Sequence, residues 1–187
     1  MSRQDRQSGR SAKGYRCNLA LIGSLQGQGS SWVSPSTGHC AYLPQSFPSS
    51  VTSAGPGVQV VDARDPRRPR LASRLTSPAF LGDPWESLKV NEKRKLLGGV
   101  FGGPIEGVAF FDLYDVRDCA KPRLLNSISS TELSIPANLL GHEGAFSPDG
   151  MTYWATGGVP GSITAIDVRD PEAPTVVYSG FMGRTNH

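Results

Sequence analysis

One eight-residue pattern occurs three times in this chain and constrains its fold more than any other feature. Its form is D-x-R-D-[P/C]-x-x-P, and its copies are Asp62–Pro69, Asp115–Pro122 and Asp167–Pro174. The first aspartates of successive copies are 53 and 52 positions apart. A period of this size is typical of proteins that repeat one supersecondary unit, either stacked or arranged around an axis. Each copy therefore marks one structural repeat.

The segments around each copy predict four short strands, which we label A to D, with the Asp pattern between C and D. The chain has 22 Gly and 15 Pro in 187 residues, which suits short strands and turns better than long helices. The predicted strands are Trp32–Ser34, Cys40–Leu43, Val58–Ala63 and Pro69–Leu75 in the first repeat, Glu86–Asn91, Lys95–Val100, Gly107–Tyr114 and Pro122–Ile128 in the second, and Gly144–Ser147, Thr152–Thr156, Ser162–Val168 and Pro174–Phe181 in the third.

These strands predict an all-β fold, a β-propeller of four-stranded antiparallel blades. We expect an incomplete propeller over 17–187, with three blades at about 30–75, 85–128 and 142–181. Leu19–Leu25 resembles the D strands and predicts one further outer strand without its own A, B and C. Because propellers usually close with about four to eight blades, we expect the chain to be a fragment of a longer propeller. Assembly with another chain and a stable open arc are the alternatives.

The Asp pattern has a local physical reason. Asp side chains accept hydrogen bonds from backbone amides two residues on, and Pro fixes φ, so Asp65-Pro66 and Asp170-Pro171 predict turns after strand C. The second proline of each copy can start strand D, where a missing amide donor is tolerated. We expect the Asp and Arg two residues apart to form a ring of ion pairs between blades. A repeated anion or cation site is the alternative.

The four-strand unit, with a C strand that ends in Asp and a D-P-x-x-P turn, resembles the LVIVD-repeat β-propeller family. Val60-Val61-Asp62 and Ala165-Ile166-Asp167 carry the resemblance, which covers about 19–181, and Cys119 departs from it at a proline position. The resemblance implies a propeller, often in prokaryotic cell-surface or secreted proteins, and implies no activity. The A and B strands of the second and third repeats also resemble those of the family. They align with each other without a gap, Leu88 with Ala145 and Leu96 with Tyr153.

Positive charge is concentrated at the start of the chain. Residues 1–16 carry a formal charge of +4 and the remainder −1, which gives +3 in total. The folded part lacks a basic stripe interleaved with aromatics, so we expect no nucleic-acid partner. The composition of residues 1–16 predicts a disordered basic tail. The tail lacks the apolar stretch of a secretory signal. The localisation therefore stays open, and it would be cytoplasmic if this start of the chain is genuine. No apolar run approaches the roughly 18 residues that a membrane span needs.

Loop lengths indicate which face of the propeller binds a partner. The A–B and C–D turns are short, whereas the B–C loop Pro44–Pro56 and the D–A loops Thr76–Trp85 and Ser129–Gly141 are long and dissimilar. Long irregular loops on a rigid scaffold are where binding usually occurs. We therefore predict a ligand site on the D–A and B–C face, at the rim of the channel. The candidate ligand-binding residues are Trp32, Trp85, Glu86, His142 and Glu143.

The sequence contains few signals of chemistry. Cys17, Cys40 and Cys119 fit no C-x-x-C spacing, and all three are expected on the short-loop face. A Cys17–Cys40 disulfide is one open pairing. There is no nucleophile elbow, phosphate-binding Gly loop or metal-spaced triad, so we predict no catalytic residue, no metal and no cofactor. His142 and Glu143 are adjacent on a strand, point to opposite faces and are poor co-ligands.

The resulting functional hypothesis is a non-enzymatic propeller that acts as a binding or scaffolding module. Its partner would be a protein or small ligand on the long-loop face, and exposed blade faces could also self-associate. The alternative is a propeller hydrolase or metal-dependent enzyme with a channel site near His142, since imidazole is both a general base and a metal ligand.

Overall fold

A computed structural model describes residues 3–9, 19–27, 33–44, 57–102, 109–129, 142–157 and 161–183. Within them the chain forms three four-stranded antiparallel sheets, each in sequence order. The strands are β1 (Ser36–Thr37), β2 (Cys40–Leu43), β3 (Val58–Asp62) and β4 (Arg70–Leu75) in the first sheet, β5 (Lys89–Asn91), β6 (Leu96–Gly102), β7 (Ala109–Asp115) and β8 (Arg123–Ser129) in the second, and β9 (Glu143–Phe146), β10 (Thr152–Thr156), β11 (Ser162–Asp167) and β12 (Thr175–Phe181) in the third. This is the predicted fold class, a propeller-like but incomplete arrangement of three blades.

The predicted strand in the first A position is wrong by a few residues. We predicted Trp32–Ser34, but Trp32 lies outside the described residues and β1 occupies Ser36–Thr37. The turn at Gly38 and His39 sets this register, because Gly38 has φ 58° and Thr37 pairs directly with Cys40. The backbone N–H of Tyr42 also donates to the Pro35 carbonyl at 2.9 Å, which ends the pairing at that proline.

The strand predicted at Leu19–Leu25 does not form. Residues 19–27 have no regular structure, and Leu19, Leu21 and Ile22 are exposed. The segment lies against the first Asp turn, since a Cβ on Gly23 would meet the Pro66 carbonyl oxygen. The resemblance to a D strand was therefore insufficient, because an outer strand needs a C strand beside it, and none is present here among the described residues.

The three Asp turns form as the pattern predicts. In each copy both aspartates accept from the backbone N–H two residues on, at 2.9–3.3 Å. The inter-blade ring of ion pairs is wrong, however. Arg117 binds Asp115 and Arg169 binds Asp167 within their own turns. The short spacing explains this, because a guanidinium two residues away already reaches the carboxylate. In these two turns the Arg side chain holds its own turn closed, whereas in the first turn Asp62 pairs with Arg70 and Arg64 contacts His39.

Two buried clusters lie between successive sheets. The first joins sheets one and two, and Tyr42 crosses it to donate from its hydroxyl to the Cys119 carbonyl at 3.1 Å. The second joins sheets two and three, where the Tyr153 ring packs against Phe111 and Phe146 with centroids 4.9 and 5.0 Å apart. The Tyr153 hydroxyl donates to the Ser87 carbonyl. Each sheet thus buries one face against the next in chain order.

Arg94 makes the strongest polar link between the second and third sheets. It lies in the β5–β6 turn and is half-buried. Its guanidinium donates to the carbonyls of Gly150, Val168 and Arg169 at 2.8, 2.6 and 2.9 Å. The five donors of a guanidinium form a rigid fork, so one side chain satisfies three orphan carbonyls of the neighbouring sheet at once.

Helices are short and peripheral. Helix α1 (Arg3–Gln7) falls inside the segment predicted as a disordered tail. A helix of five residues has little stability of its own, so its presence does not test the prediction of disorder. Helix α2 (Pro78–Leu81) lies in the D–A loop before β5 and buries Ala79 and Phe80. Sequence patterns did not reveal it, because it is a single turn. Neither helix among the described residues has the length or apolar character to cross a membrane.

Candidate functional site

The candidate site is a rim where the first strands of sheets two and three begin. It is approached through the D–A loop that contains α2, the only one of the predicted long loops that is described throughout. After α2 the backbone takes the left-handed conformation at Asp83 (φ 75°) and again at Trp85 (φ 47°). The Trp85 N–H donates to Asp83 Oδ1 at 3.1 Å, which closes this turn. A bulky residue with positive φ is uncommon, and such strain often marks functional positions.

Ser87 fixes the backbone behind the rim. Its buried hydroxyl donates to the Pro84 carbonyl and lies 2.9 Å from the Val100 carbonyl, and it accepts from the Val100 N–H at 2.9 Å. These contacts tie the loop to β6 just beyond Trp85 and Glu86. The rim side chains therefore project from backbone that is held on both sides.

The rim brings two neighbouring sheets together. Glu86 and Glu143 form an isolated parallel bridge, and β5 lies beside β9. On the third sheet, the His142 N–H donates to the Thr156 carbonyl at 3.1 Å, which places His142 at the start of β9. First strands of adjacent sheets that meet in parallel are what a propeller channel requires. The bridge thus brings the backbone before β5 next to the start of β9.

Four of the five predicted site residues lie together there. His142 Nε2 is 3.5 Å from Glu86 Oε2, with 22% and 36% of the respective side chains exposed. The Trp85 and His142 rings meet edge to face with centroids 5.7 Å apart. Glu143 is exposed, and its backbone forms the bridge to Glu86. Trp32, the fifth, lies outside the described residues. His142 therefore pairs with a carboxylate of the preceding sheet, which adjacency along the strand could not indicate.

Two buried carboxyls lie close to this loop. Burial raises the pKa of Asp83 to about 6, and its Oδ2 has no hydrogen-bond partner among the described residues. Burial also raises the pKa of Asp112, whose Oδ2 accepts from the Ala79 N–H at 2.7 Å at the start of α2. Both groups favour a neutral carboxyl more than an exposed Asp does. Asp83 lies within the loop that leads to the rim, and Asp112 binds the first turn of α2 in the same loop.

The rim can attract a cation, but it does not present a metal centre in its described part. The Glu86 carboxylate faces His142, and the Trp85 ring adjoins the imidazole, which together favour a positively charged group. Three His, Cys, Asp or Glu ligand atoms within 4.8 Å of one another occur, in the described ranges, at His39, Cys40 and Cys119. The rim is therefore not the place where such ligands converge in this part of the chain.

The His39, Cys40 and Cys119 group was missed by the sequence analysis. Cys40 and Cys119 form a disulfide between the first and second sheets, with Cα atoms 5.8 Å apart. The pairing of Cys17 with Cys40 is therefore wrong, and Cys17 itself lies outside the described residues. The available signal was that Cys119 replaces the proline of the Asp turn, on the same short-loop face as Cys40. Only the docking of two sheets brings them together.

A groove of about 330 Å³ lies between sheets two and three, among the Asp turns. Three arginines line it, but each has partners: Arg94 in the three carbonyls of the third sheet, Arg117 in Asp115, and Arg123 in Glu172 at 3.5 Å. Because each of these arginines already has a hydrogen-bond or ion-pair partner, we interpret the groove as a contact region between sheets two and three. The rim has the more available charge, since Glu143 forms no ion pair with another described residue.

Comparisons with known proteins identify no family for this chain. No protein-family model and no curated protein matches the chain. A crystal structure of a Lactobacillus plantarum protein from a structural genomics consortium is similar at 14% identity and a TM-score of 0.35. The alignment covers 82% of this chain and 57% of that chain, so the chain spans just over half of that protein's length.

Proposed function

We propose that this chain is a non-enzymatic binding module of an LVIVD-type β-propeller, part of a longer propeller, and that its rim captures a cationic group. The group would be a lysine or arginine side chain of a protein partner, or a small amine. The observation that carries the proposal is the meeting of Trp85, Glu86, His142 and Glu143 from two sheets at one rim.

Charge supports a cationic ligand. Glu86 and Glu143 are adjacent in space through their backbone bridge, and His142 is the one described residue within ion-pair distance of the Glu86 carboxylate. A cation over an aromatic ring gains about 0.5–2 kcal/mol, and the nearby carboxylates add to this attraction. An anionic ligand would meet repulsion from both glutamates.

Strain supports a binding role for Trp85 in particular. Its positive φ destabilises the folded chain, and a residue with an ordinary backbone conformation in a surface turn would not have this cost. The conformation is held by Asp83 and by the Ser87 contacts, which suggests that the direction of the indole matters more than the stability of the loop.

The proposal is tested by titrating the purified chain with a lysine-rich peptide, an arginine-rich peptide, and glutamate-rich and uncharged peptides of equal length. Calorimetry should detect binding of the cationic peptides alone, weakening as salt rises. Trp85→Ala and Glu86→Gln should each weaken binding by roughly 2- to 30-fold, the range that about 0.5–2 kcal/mol corresponds to.

Matched controls are Trp154→Ala and Glu172→Gln, exposed residues of the same types away from the rim. Their affinity should equal that of the unsubstituted chain. Equal affinity for all four peptides, no binding of any, or weakening by the control variants instead of the rim variants would overturn the proposal.

A further inference from the structure

Three side chains with soft or borderline metal-ligating atoms meet where the first sheet packs on the second. His39 lies in the β1–β2 turn, Cys40 begins β2, and Cys119 lies in the Asp turn of the second sheet. His39 Nε2 is 3.5 Å from Cys119 Sγ, and all three ligand atoms lie within 4.8 Å of one another. Both cysteines are buried, and the imidazole is partly exposed.

We propose that His39, Cys40 and Cys119 bind one zinc ion when the Cys40–Cys119 disulfide is reduced. Two thiolates and one imidazole form a ligand set that Zn²⁺ accepts, with a fourth position left for water or a carboxylate. Soft thiolates also select Zn²⁺ over the hard cations Mg²⁺ and Ca²⁺. The site is thus a redox-dependent metal site, separate from the rim.

The positions of the ligands permit this with little movement. With Zn–S bonds of about 2.3 Å, two sulfurs at the corners of a tetrahedron are roughly 3.8 Å apart. Reduction releases the sulfurs from each other, and their Cα atoms, 5.8 Å apart, stay held by the two sheets. Gly38 adjoins the site without a side chain, and a Cβ there would be 3.8 Å from Cys119 Sγ.

The surroundings of His39 support the same assignment. Asp62 Oδ1 lies 3.6 Å from His39 Nε2, and Asp62 is held by Arg70 at 2.7 Å. This buried carboxylate is a candidate for the fourth ligand. Arg64 Nη2 is 3.1 Å from the same imidazole nitrogen, but Arg64 is exposed and can swing into solvent when a cation enters.

The chemistry balances with an external dithiol as the reductant. The dithiol transfers two electrons to the S–S bond and becomes a disulfide, while Cys40 and Cys119 become two thiols. Zinc then displaces one proton from each thiol, which passes to the buffer, and forms two Zn–S bonds. Disulfide and zinc therefore exclude each other, yet either one links the first sheet to the second.

The test uses the full 187-residue chain, either oxidised or reduced without oxygen and freed of reductant. Equilibrium dialysis against Zn²⁺ with metal analysis should give one zinc per reduced chain and none per oxidised chain. Co²⁺ in place of Zn²⁺ should produce thiolate-to-metal charge-transfer absorption, which a surface imidazole site would not show. Bound zinc should also slow alkylation of the two thiols.

His39→Ala keeps both cysteines and so retains the disulfide and fold when oxidised, which circular dichroism checks. Once reduced, it should bind zinc more than about 10-fold more weakly, since even loss of a partner outside the ligand shell costs that much. Cys40→Ser, which leaves Cys119 as the one thiolate of the site, should weaken the charge-transfer band and lower the affinity for zinc. Cys17→Ser is the control and should bind as the unsubstituted chain does. No zinc in the reduced chain, or unchanged affinity in His39→Ala, would overturn the proposal.

Discussion

Glu86 and Glu143 are parallel backbone partners, although Glu86 lies in the loop before β5 of the second sheet and Glu143 begins β9 of the third. This bridge joins the second and third sheets where a propeller has its channel, and it sets Trp85 and His142 edge to face. The same contact therefore defines both the packing of the blades and the candidate site. Its consequences can be measured at the residues around it.

The left-handed backbone at Trp85 predicts an unusual order of stability between two small substitutions. At φ 47° a Cβ is crowded at a cost of roughly 1–2 kcal/mol, which glycine avoids. Trp85→Gly should therefore be more stable than Trp85→Ala by about 1 kcal/mol in urea denaturation. In strand β10 the order should reverse, with Trp154→Gly less stable than Trp154→Ala by roughly 0.5–1 kcal/mol. If the glycine variant is less stable than the alanine variant at both positions, the backbone of Trp85 is not strained.

Asp83 should make stability fall as pH rises through its folded pKa. Its pKa is about 6 in the fold against an ordinary 3.8, because of burial. Between these values the folded chain keeps a proton that the unfolded chain loses, so the contribution is present below pH 3.8 and lost as pH rises through 6. The total change is about 2–3 kcal/mol. Asp83→Asn, which tolerates positive φ, should gain stability at pH 7.5 and lose this slope.

Asp149→Asn is the control of opposite sign. The Ser147 hydroxyl, first among its contacts, holds the pKa of Asp149 below its usual range. That carboxylate stabilises the fold above its unfolded pKa and loses the effect as pH falls, so Asp149→Asn should lower stability at pH 7.5. Thermal unfolding between pH 4 and 8 compares the two variants. An unchanged slope in Asp83→Asn would show that burial does not govern the pKa of Asp83, and a stabilised Asp149→Asn would show that the Ser147 hydroxyl does not stabilise that carboxylate.

Arg94 should contribute more to stability than the more exposed arginines of the Asp turns. Arg94→Ala removes hydrogen bonds to three carbonyls of the third sheet and should lower the free energy of unfolding by about 2 kcal/mol or more. Arg94→Lys should recover only part, because an ammonium lacks the fork. Arg117→Ala, which breaks a contact inside one turn, should cost less than about 1 kcal/mol. Equal losses of unfolding free energy in Arg94→Ala and Arg117→Ala would contradict the role of Arg94 in joining the second and third sheets.

Self-association through an exposed blade face remains a prediction. Trp154 and Tyr178 are 39% and 48% exposed, and both pair with Ala165 across the third sheet, on the face turned away from the second sheet. Trp154→Ser with Tyr178→Ser should lower the average mass seen in sedimentation velocity at high concentration. Met151→Ser, an exposed apolar residue in a turn, is the control. A monomeric unsubstituted chain would exclude self-association by this face.

Local patterns predicted the strands well, and contacts between sheets poorly. Cys40–Leu43 and Thr152–Thr156 were predicted with correct ends, because alternation and Asp turns are local signals. The alignment of Leu96 with Tyr153 is off by one, since Leu96 pairs with Asp115 as Thr152 pairs with Asp167. An alignment in sequence does not record the cross-strand register, which the turns and the packing of each sheet decide.

The rim residues could be predicted individually, but not their pairing. Counting back from the strands identified Trp85, Glu86, His142 and Glu143, yet the His142–Glu86 contact depends on how two sheets dock. The Cys40–Cys119 bond, across 79 residues, is of the same kind. Such contacts between sheets depend on tertiary packing, which no local periodicity encodes.

The central claim is that successive repeats form sheets that pack against one another in chain order. Disulfide mapping by mass spectrometry, after mild oxidation and digestion in denaturant without reductant, tests it most directly. The protease must cut after Leu, Trp or Tyr, because no Lys or Arg separates Cys17 from Cys40. The expected result is a peptide containing Cys40 joined to one containing Cys119, with Cys17 free to be alkylated. A Cys17–Cys40 linkage, or three free thiols after oxidation, would contradict the packing of the first sheet on the second.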